Sequence, residues 1–548
     1  MKSLIRSIIV ESIEKSGYPV PVGFDILEPP KKEFGDYATN VAILISKSCG
    51  RTPQSCAKEI ISNIDSKVIK KAEIAGPGFI NIFLTKEIIL SKFLEIISHK
   101  NSYGGSNVGS GKTVNVEYIS ANPTGPVHIG NARGGPIGEA ISNLLHFCGY
   151  KVRRSFYVND IGGQINKLAE SFYYWYLLEI GKDAIFPDGG YPGDYVKEAA
   201  VRVSRKHKNK LDKISEKDDF IDFFKNYGVK EMIDLIQKDA LLLGIKYDEF
   251  IYQSKLEEDK NTEEVIEILK DRGATIDREG ALWFRYEGES KNDGDNVLRK
   301  SDGCGTYTYF ADDIACHKYK HDQGADLMID IWGANHHGHV SRMKAAMQSI
   351  GIDSDRLKII LYQNVRVKNG EEIIKMSKRE GNFILLSDVI KYGVGADAFK
   401  YYVLAQNNNT PIDFDVELAK DKSDKNPVYY IQYAHARICS LLKKSLQKED
   451  SYFKADLEKL KSEEELSLIK ELIKFPDVVE QASNDFQMQI FAGYVYNLAS
   501  LFHEFYNKHQ IISGDSELER SRLMLCYATK IVIRNTLSIM DITSPEKM

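Results

Sequence analysis

The sequence predicts an α/β protein in three parts. Residues 1–105 read as an N-terminal α+β domain, 106–420 as a parallel-sheet α/β domain with an insertion at about 165–290, and 421–548 as an all-α domain. Three observations predict this. Thr113 to Ser120 is strand-like, Asn122-Pro123-Thr124-Gly125-Pro126 is a turn, and a helical stripe follows with Ile137, Ala140, Ile141, Leu144, Leu145 and Cys148 on one face. Strand, turn and helix in that order form the unit of a parallel α/β sheet. The alternating run Phe79-Ile80-Asn81-Ile82-Phe83-Leu84 follows the breaker Gly76-Pro77-Gly78, well upstream of that unit. From about residue 420 the pattern is helical with almost no strand signal.

Taken in order, Ile5, Ile8, Ile9 and Ile13 recur at helical spacing, and Val41, Ile43, Leu44 and Ile45 do so more loosely. Residues 101–111 hold four Gly and three Ser, the composition of a linker. The insertion is rich in charge and short elements. Apolar runs at Asp326 to Trp332 and Lys358 to Val367 resume strand character. There is no internal repeat and no heptad run.

The 548 residues are enough for several cores, and 40 Gly with only 15 Pro argue against low complexity. No run approaches the ~18 apolar residues of a membrane helix. Lys2 and Arg6 are followed by too short an apolar stretch for a secretory signal. Seven scattered Cys without a Cys-x-x-Cys fit free thiols in a reducing cytoplasm. The net charge of −5 leans against a nucleic-acid partner. Residues 421–548, with 17 basic and 19 acidic side chains, are not basic either. RNA loops are bound by stacking as much as by charge, however, and the chain has 30 Tyr and 24 Phe.

Gly109-Ser110-Gly111-Lys112-Thr113 imitates the end of a phosphate-binding loop. Such a loop opens a helix, whereas Val114 to Ile119 reads as a strand, so the segment is expected to be an ordinary approach to that strand. His336, His337 and His339 at i, i+1 and i+3 point different ways, and Cys304, Cys316, His317 and His321 have no zinc spacing. No metal site is expected.

Two constellations carry chemistry. Pro126-Val127-His128-Ile129-Gly130-Asn131 opens a helix, where unpaired N–H groups favour phosphate. His128 and Asn131 share a face and can bond phosphate oxygens, and Gly130 lets a flat ring approach the backbone. Lys375-Met376-Ser377-Lys378, followed by Arg379 and Gly381, sets three cations and a hydroxyl in a loop able to close over triphosphate charge.

Together these resemble the paired His-Ile-Gly-His and Lys-Met-Ser-Lys signatures of class I aminoacyl-tRNA synthetases, with Asn131 in place of the second His. Asn can bond phosphate but carries no charge. The flanks resemble arginyl-tRNA synthetases: Ser120-Ala121-Asn122-Pro123-Thr124-Gly125-Pro126, Tyr157-Val158-Asn159-Asp160, Gly193-Asp194-Tyr195 and Asn426 through Arg437. Phe34 to Asn40 and Ala75 to Phe79 resemble that family's additional N-terminal domain. The resemblance runs from about residue 30 to the end.

It implies a Rossmann-type catalytic domain, an additional tRNA-binding domain before it and an anticodon-binding domain after it. The implied reaction activates arginine with ATP and Mg2+ and then charges tRNA, in a cytoplasmic monomer. His128, Asn131, Lys375 and Lys378 are the implied catalytic residues. ATP is implied to meet His128, Gly130, Asn131, His337, Met376, Ser377 and Lys378. Arginine is implied to meet Glu117, Ser120, Asn122, His128, Gln164, Tyr309 and Asp313, with Asp313 taking the guanidinium. A planar guanidinium fits a carboxylate bidentately. Tyr37, Asn40, Tyr429, Tyr433 and Arg437 are implied to touch tRNA.

Overall fold

The computed structural model describes residues 1–286, 296–303, 305–369, 372–374, 384–445 and 452–548. The Lys375-Met376-Ser377-Lys378 motif lies outside the described residues. The N-terminal part runs α1 (Lys2–Lys15), β1 (Ile26–Leu27), β2 (Tyr37–Thr39), α2 (Val41–Cys49), α3 (Pro53–Ser62), β3 (Ile69–Ala75), β4 (Phe79–Leu84) and α4 (Lys86–His99). Its strands form an antiparallel sheet in the order β1-β2-β4-β3. Ile5, Ile9 and Ile13 bury one face of α1, as their spacing predicts. Thr52 and Thr85 cap α3 and α4 by accepting from Ser55 N and Ile88 N.

The Gly-rich stretch 101–111 is not a loose tether. Tyr103 is buried and its hydroxyl donates to Leu472 O. A Cβ on Gly104 would meet the Phe475 ring, and one on Gly109 would meet Tyr150. Its glycines are there for close packing, which composition alone does not distinguish from flexibility. Gly109 to Lys112 forms turns that lead into a strand, so no helix end is available to hold phosphate there.

The central part continues with β5 (Thr113–Glu117), α5 (Ile129–Ala132), α6 (Gly134–Phe147), β6 (Lys151–Val158), α7 (Gly163–Glu179), α8 (Asp194–Lys206), α9 (Lys208–Leu211), α10 (Lys217–Leu242) and β7 (Glu249–Tyr252). Then come α11 (Gln253–Glu258), α12 (Asn261–Asp271), β8 (Thr275–Arg278), β9 (Ala281–Phe284), β10 (Val297–Arg299), α13 (Tyr309–Asp322), β11 (Leu327–Gly333), α14 (His337–Ser349) and β12 (Leu357–Tyr362). The main sheet is parallel throughout, ordered β12-β11-β5-β6-β7. The chain leaves β5 toward β6 and β7, then crosses back to lay β11 on the other side of β5. Ligands bind at such a reversal, beyond the carboxyl ends of the strands.

The expected single insertion at 165–290 is divided by β7, which returns to the main sheet as its edge. Before it stand helices, and after it an antiparallel sheet β10-β9-β8. Of the residues in β7 only Ile251 is buried, too weak a pattern to read as a strand amid charge. The apolar run Lys358 to Val367 is likewise two strands. It breaks after Tyr362, and β13 (Val365–Asn369) joins β14 (Glu372–Ile374) and β15 (Ile412–Asp415) in a separate sheet. The helices α15 (Leu386–Lys391), α16 (Ala396–Leu404) and α17 (Val416–Lys420) complete this region.

The C-terminal part opens with α18 (Pro427–Lys444), capped by Asn426, and continues with helices Glu463–Leu472, Phe475–Asp485, Gln489–Lys508 and Ser516–Ile539. It touches both other parts. Lys470 pairs with Asp36 at 2.6 Å, and the Tyr37 hydroxyl donates to Asp477 at 3.3 Å. Lys400 pairs with Asp541 at 2.6 Å. No helix among the described residues is long and apolar enough to cross a membrane.

Candidate active site

A cavity of about 1160 Å3 opens at the sheet reversal. Its floor is the carboxyl end of β5. Beyond Glu117, Ile119 and Ser120 take φ of +67° and +35°, left-handed values that a β-branched residue adopts only under constraint. The constraint is visible. Tyr247 donates to Tyr118 O at 3.2 Å, Ser120 Oγ donates to Glu117 Oε1 at 2.9 Å, and Tyr157 N donates to Ser120 Oγ at 3.1 Å. Asn122 gives its amide to Gln164 Oε1 at 3.0 Å and accepts from Asn159 at 2.9 Å. Glu117, Ser120 and Asn122, from the end of β5, thus stand in one wall with the distant Gln164, held by two hydrogen-bonded sets.

His128 and Asn131 also line the cavity. The segment is stitched in place by Val127 N to Asp239 at 2.8 Å and Ile129 N to Ile384 O at 2.9 Å. His128 is the N-cap of α5, its Nδ1 accepting from Asn131 N at 3.3 Å. Gly130 also has a steric task. It does not line the cavity; a Cβ there would stand 3.2 Å from Cε1 and Nδ1 of His128, so its bareness makes room for the imidazole. Arg133, three residues on, is 0% exposed with three carbonyls as acceptors: Gln363 at 2.6 Å, Thr410 at 2.9 Å and Asn407 at 3.0 Å. Burial pulls its pKa down to about 10.

The opposite wall comes from α13, β11 and α14. Tyr309, 53% exposed, and Asp313 face the cavity one helical turn apart. Asp313 Oδ2 lies 3.0 Å from His339 Nε2. Asp312 turns the other way and is 1% exposed, accepting from Gln253 at 2.7 Å and Thr262 at 2.9 Å. Burial, with Glu257 adding, pushes its pKa up to about 7. The two neighbouring carboxylates therefore differ completely, one aimed at the site and one sealed in the core.

Beneath Glu117 lies a buried charge cluster absent from the sequence reading. Lys320 reaches Glu117 Oε2 at 2.7 Å and Asp330 Oδ1 at 3.0 Å, and His317 Nε2 lies 2.5 Å from Asp330 Oδ2. Burial alone pulls Lys320 down, but Asp330 and Glu117 outweigh it and hold the ammonium well above its ordinary range. Burial alone lifts Asp330, and Lys320 with His317 reverses that. Burial leaves Glu117 raised despite Lys320. His317 and Lys320 are three apart on α13, a helical spacing that could have flagged them.

The histidines after β11 divide differently from the expectation. His336 and His339 line the cavity with Arg342, whereas His337 is exposed away from it, because the turn into α14 rotates successive side chains apart. Among the described residues no group of three or more His, Cys, Asp or Glu could hold a metal ion.

In the helical part Tyr429 and Tyr433 stack at 6.4 Å, and the Arg437 guanidinium lies over Tyr433 at 4.8 Å and Tyr506 at 4.4 Å. Tyr433 and Tyr496 remain exposed, leaving an aromatic, cation-bearing face. Tyr37, by contrast, is 2% exposed and spends its hydroxyl on Asp477, so it belongs to the seam between parts and offers no surface to RNA. Asn40 accepts from Asp25 N at the start of α2.

Residues 92–421 match the class I (R) tRNA synthetase catalytic domain, 3–84 the arginyl tRNA synthetase N-terminal domain, and 431–548 the DALR anticodon binding domain. The arginine–tRNA ligase of Caldanaerobacter subterraneus subsp. tengcongensis is 38% identical over 561 residues, covering 100% of this chain and 99% of its own. The chain belongs to the arginyl-tRNA synthetase family. Arginine–tRNA ligase 1 of Halalkalibacterium halodurans is also 38% identical, with 100% and 99% coverage. The Thermus thermophilus arginyl-tRNA synthetase shares the fold at TM-score 0.79 and 19% identity over 100% of both chains. That of Plasmodium falciparum does so at 0.78 and 21%, over 100% of this chain and 99% of its own. As an arginyl-tRNA synthetase the protein is an aminoacyl-tRNA ligase, and its cavity lies in the class I catalytic domain.

Proposed function

We propose that this cavity is where arginine meets ATP, and that each of its walls holds one part of the reacting pair. The observation that carries this is the placement of Asp313 and Tyr309 on one wall and the Glu117–Ser120–Asn122–Gln164 group on another, with His128 and Asn131 beside them. Asp313 takes the guanidinium and Tyr309 flanks it. Glu117, Ser120, Asn122 and Gln164 hold the α-amino and carboxylate ends. His128 and Asn131 bond the triphosphate. The arginine carboxylate attacks the α-phosphorus, forming arginyl-adenylate and releasing pyrophosphate. The 3′-terminal ribose hydroxyl of tRNA then attacks the acyl carbon and AMP leaves.

Nothing covalent is asked of the protein; alignment and charge neutralisation suffice. Lys375 and Lys378, with Met376 and Ser377 between them, are assigned to the triphosphate from the sequence. Mg2+ would come with ATP as part of the substrate and would supply positive charge to the triphosphate. The stacked face of Tyr429, Tyr433 and Arg437 suits splayed tRNA bases. We read the enzyme as a cytoplasmic monomer; the described cysteines are free thiols, in keeping with a reducing compartment. The test is ATP–pyrophosphate exchange with each amino acid in turn, with and without tRNA. Exchange with arginine in the presence of tRNA is expected. Exchange with another amino acid, or with none, overturns the reading.

A further inference from the structure

The carboxylate assigned to the guanidinium is not alone. His339 lies against it, and Arg342, one turn along α14, lies against His339. The Arg342 Nη2 to His339 Nδ1 contact fixes the direction of the whole chain. A guanidinium has donors and no acceptor, so Nδ1 must accept. The remaining ring proton then sits on Nε2, which donates to Asp313 Oδ2 at 3.0 Å. The order is Arg342 to His339 to Asp313, with one allowed tautomer.

Arg342 and His339 are both held by aromatic rings. The Arg342 guanidinium lies 4.9 Å from the Phe310 ring centroid, and the His339 ring packs against Phe310 at 5.4 Å and Trp332 at 5.5 Å. All three members line the cavity. The charged and titratable groups facing His339 among the described residues are Asp313 from α13, Arg342 from its own helix and His336 from the turn before α14.

We propose that Arg342 and His339 are positioning residues that aim Asp313 at the substrate guanidinium and keep a competing positive charge away from it. This rests on the reading that Asp313 binds the guanidinium. With an Arg342 N–H on Nδ1, the ring's proton sits on Nε2, and the Arg342 charge stands beside the nitrogen that would carry a second one. His339 therefore gives Asp313 a neutral donor. One Asp313 oxygen is pinned by His339, in a residue that lines the cavity. Were His339 an imidazolium it would be an ion-pair partner in its own right, and arginine would have to displace it.

The consequence is a pH signature. In the wild-type enzyme the KM for arginine stays flat through the range where histidines ordinarily titrate, about pH 6.5. Arg342→Met opens Nδ1 to protonation. Its KM for arginine is expected to rise on acidification by about tenfold per pH unit below that range, with the KM for ATP unmoved. In Arg342→Met/His339→Gln the amide restores a neutral donor, and the flat profile returns. A purely structural Arg342 predicts a loss independent of pH and no recovery in the double variant.

The measurements are steady-state aminoacylation between pH 5.5 and 8 at saturating ATP and tRNA. Alongside them, 15N spectra of histidine-labelled wild-type enzyme identify His339 by its loss in His339→Gln. A neutral Nε2–H ring at pH 6 is expected. An imidazolium there, or a flat arginine KM in Arg342→Met, overturns the proposal, and the spectrum decides even if Arg342→Met does not fold. Asp313→Asn separates the two layers. If it leaves the arginine KM unchanged, the guanidinium assignment itself fails. If it raises that KM while Arg342→Met stays flat, only the relay fails.

Discussion

Replacing Lys320 by Met removes a cation that is 0% exposed from between two carboxylates, 2.7 Å from Glu117 and 3.0 Å from Asp330. The methionine fills most of the stem volume, so the loss is mainly electrostatic. At an effective dielectric of about 20, each contact is worth about 6 kcal/mol of Coulomb attraction before desolvation. Removing one partner of such a buried set costs about 3–5 kcal/mol, because the survivors stay buried and unpaired. For a domain of this size that is a fall in Tm of roughly 5–8 °C.

Trp332 lies 6.4 Å from the His317 ring, so intrinsic fluorescence reports on this region directly. The pH dependence adds a second check. Lys320 is held above its ordinary pKa, so its contribution is full below about pH 10 and is lost only as pH rises further. Asp330 is held below its ordinary pKa, so its contribution is full above about pH 4 and is lost as pH falls through its folded value. The deficit in Lys320→Met is therefore largest near and above neutrality and narrows in acid, as Glu117, already raised by burial, and the unpaired Asp330 take up protons. Lys320→Met/Asp330→Asn recovers part of it. A Tm within about 2 °C of wild type, or a deficit that grows in acid, refutes the reasoning.

Asp312→Asn should flatten the stability profile near neutrality. The folded pKa of about 7 exceeds the ordinary value, so wild-type stability is full below about pH 4 and falls as pH rises toward 7. The amide carries no such penalty, and Gln253, whose Oε1 has no partner, can turn to meet it. Tm measured from pH 5 to 8.5 should decline less in the variant than in wild type. Gly130→Ala should press on the His128 ring from 3.2 Å and lower kcat/KM for ATP on the order of tenfold, with Tm nearly unchanged; equal kinetics would show that the ring's place is immaterial.

The three-part architecture was legible because its signals are local. The spacing of Ile5, Ile9 and Ile13, the alternation of 79–84 and the helical tail need no tertiary knowledge. β7 and the break after Tyr362 were hidden because sheet membership is decided by distant partners. The cavity walls were legible where a motif carries them, as at Glu117, Ser120, Asn122, His128 and Asp313. Lys320, Asp330, His339 and Arg342 were not, because a charge reads as surface until its partners are known. The difference between Asp312 and Asp313 is one of rotation about a helix, and His336 and His339 differ from His337 in the same way. Tyr37 matched a motif yet serves a seam, since a resemblance marks a position without saying which way its side chain faces.

The contacts of Asp36 with Lys470 and of Tyr37 with Asp477 join the first part of the chain to the last. Both are also anchored to the middle, the first by the stretch that leads out of it, where Ser106 N donates to Phe147 O and Gly109 N to Cys148 O, and the last by Lys400 with Asp541. Topologically the three parts close a loop, and a closed loop of bodies has fewer independent hinges than an open string. Neither arm can swing away alone without tearing a second joint. A long, stiff RNA spanning the outer two would press on the central one through both joints at once, which makes the molecule a caliper whose jaws share a single adjustment.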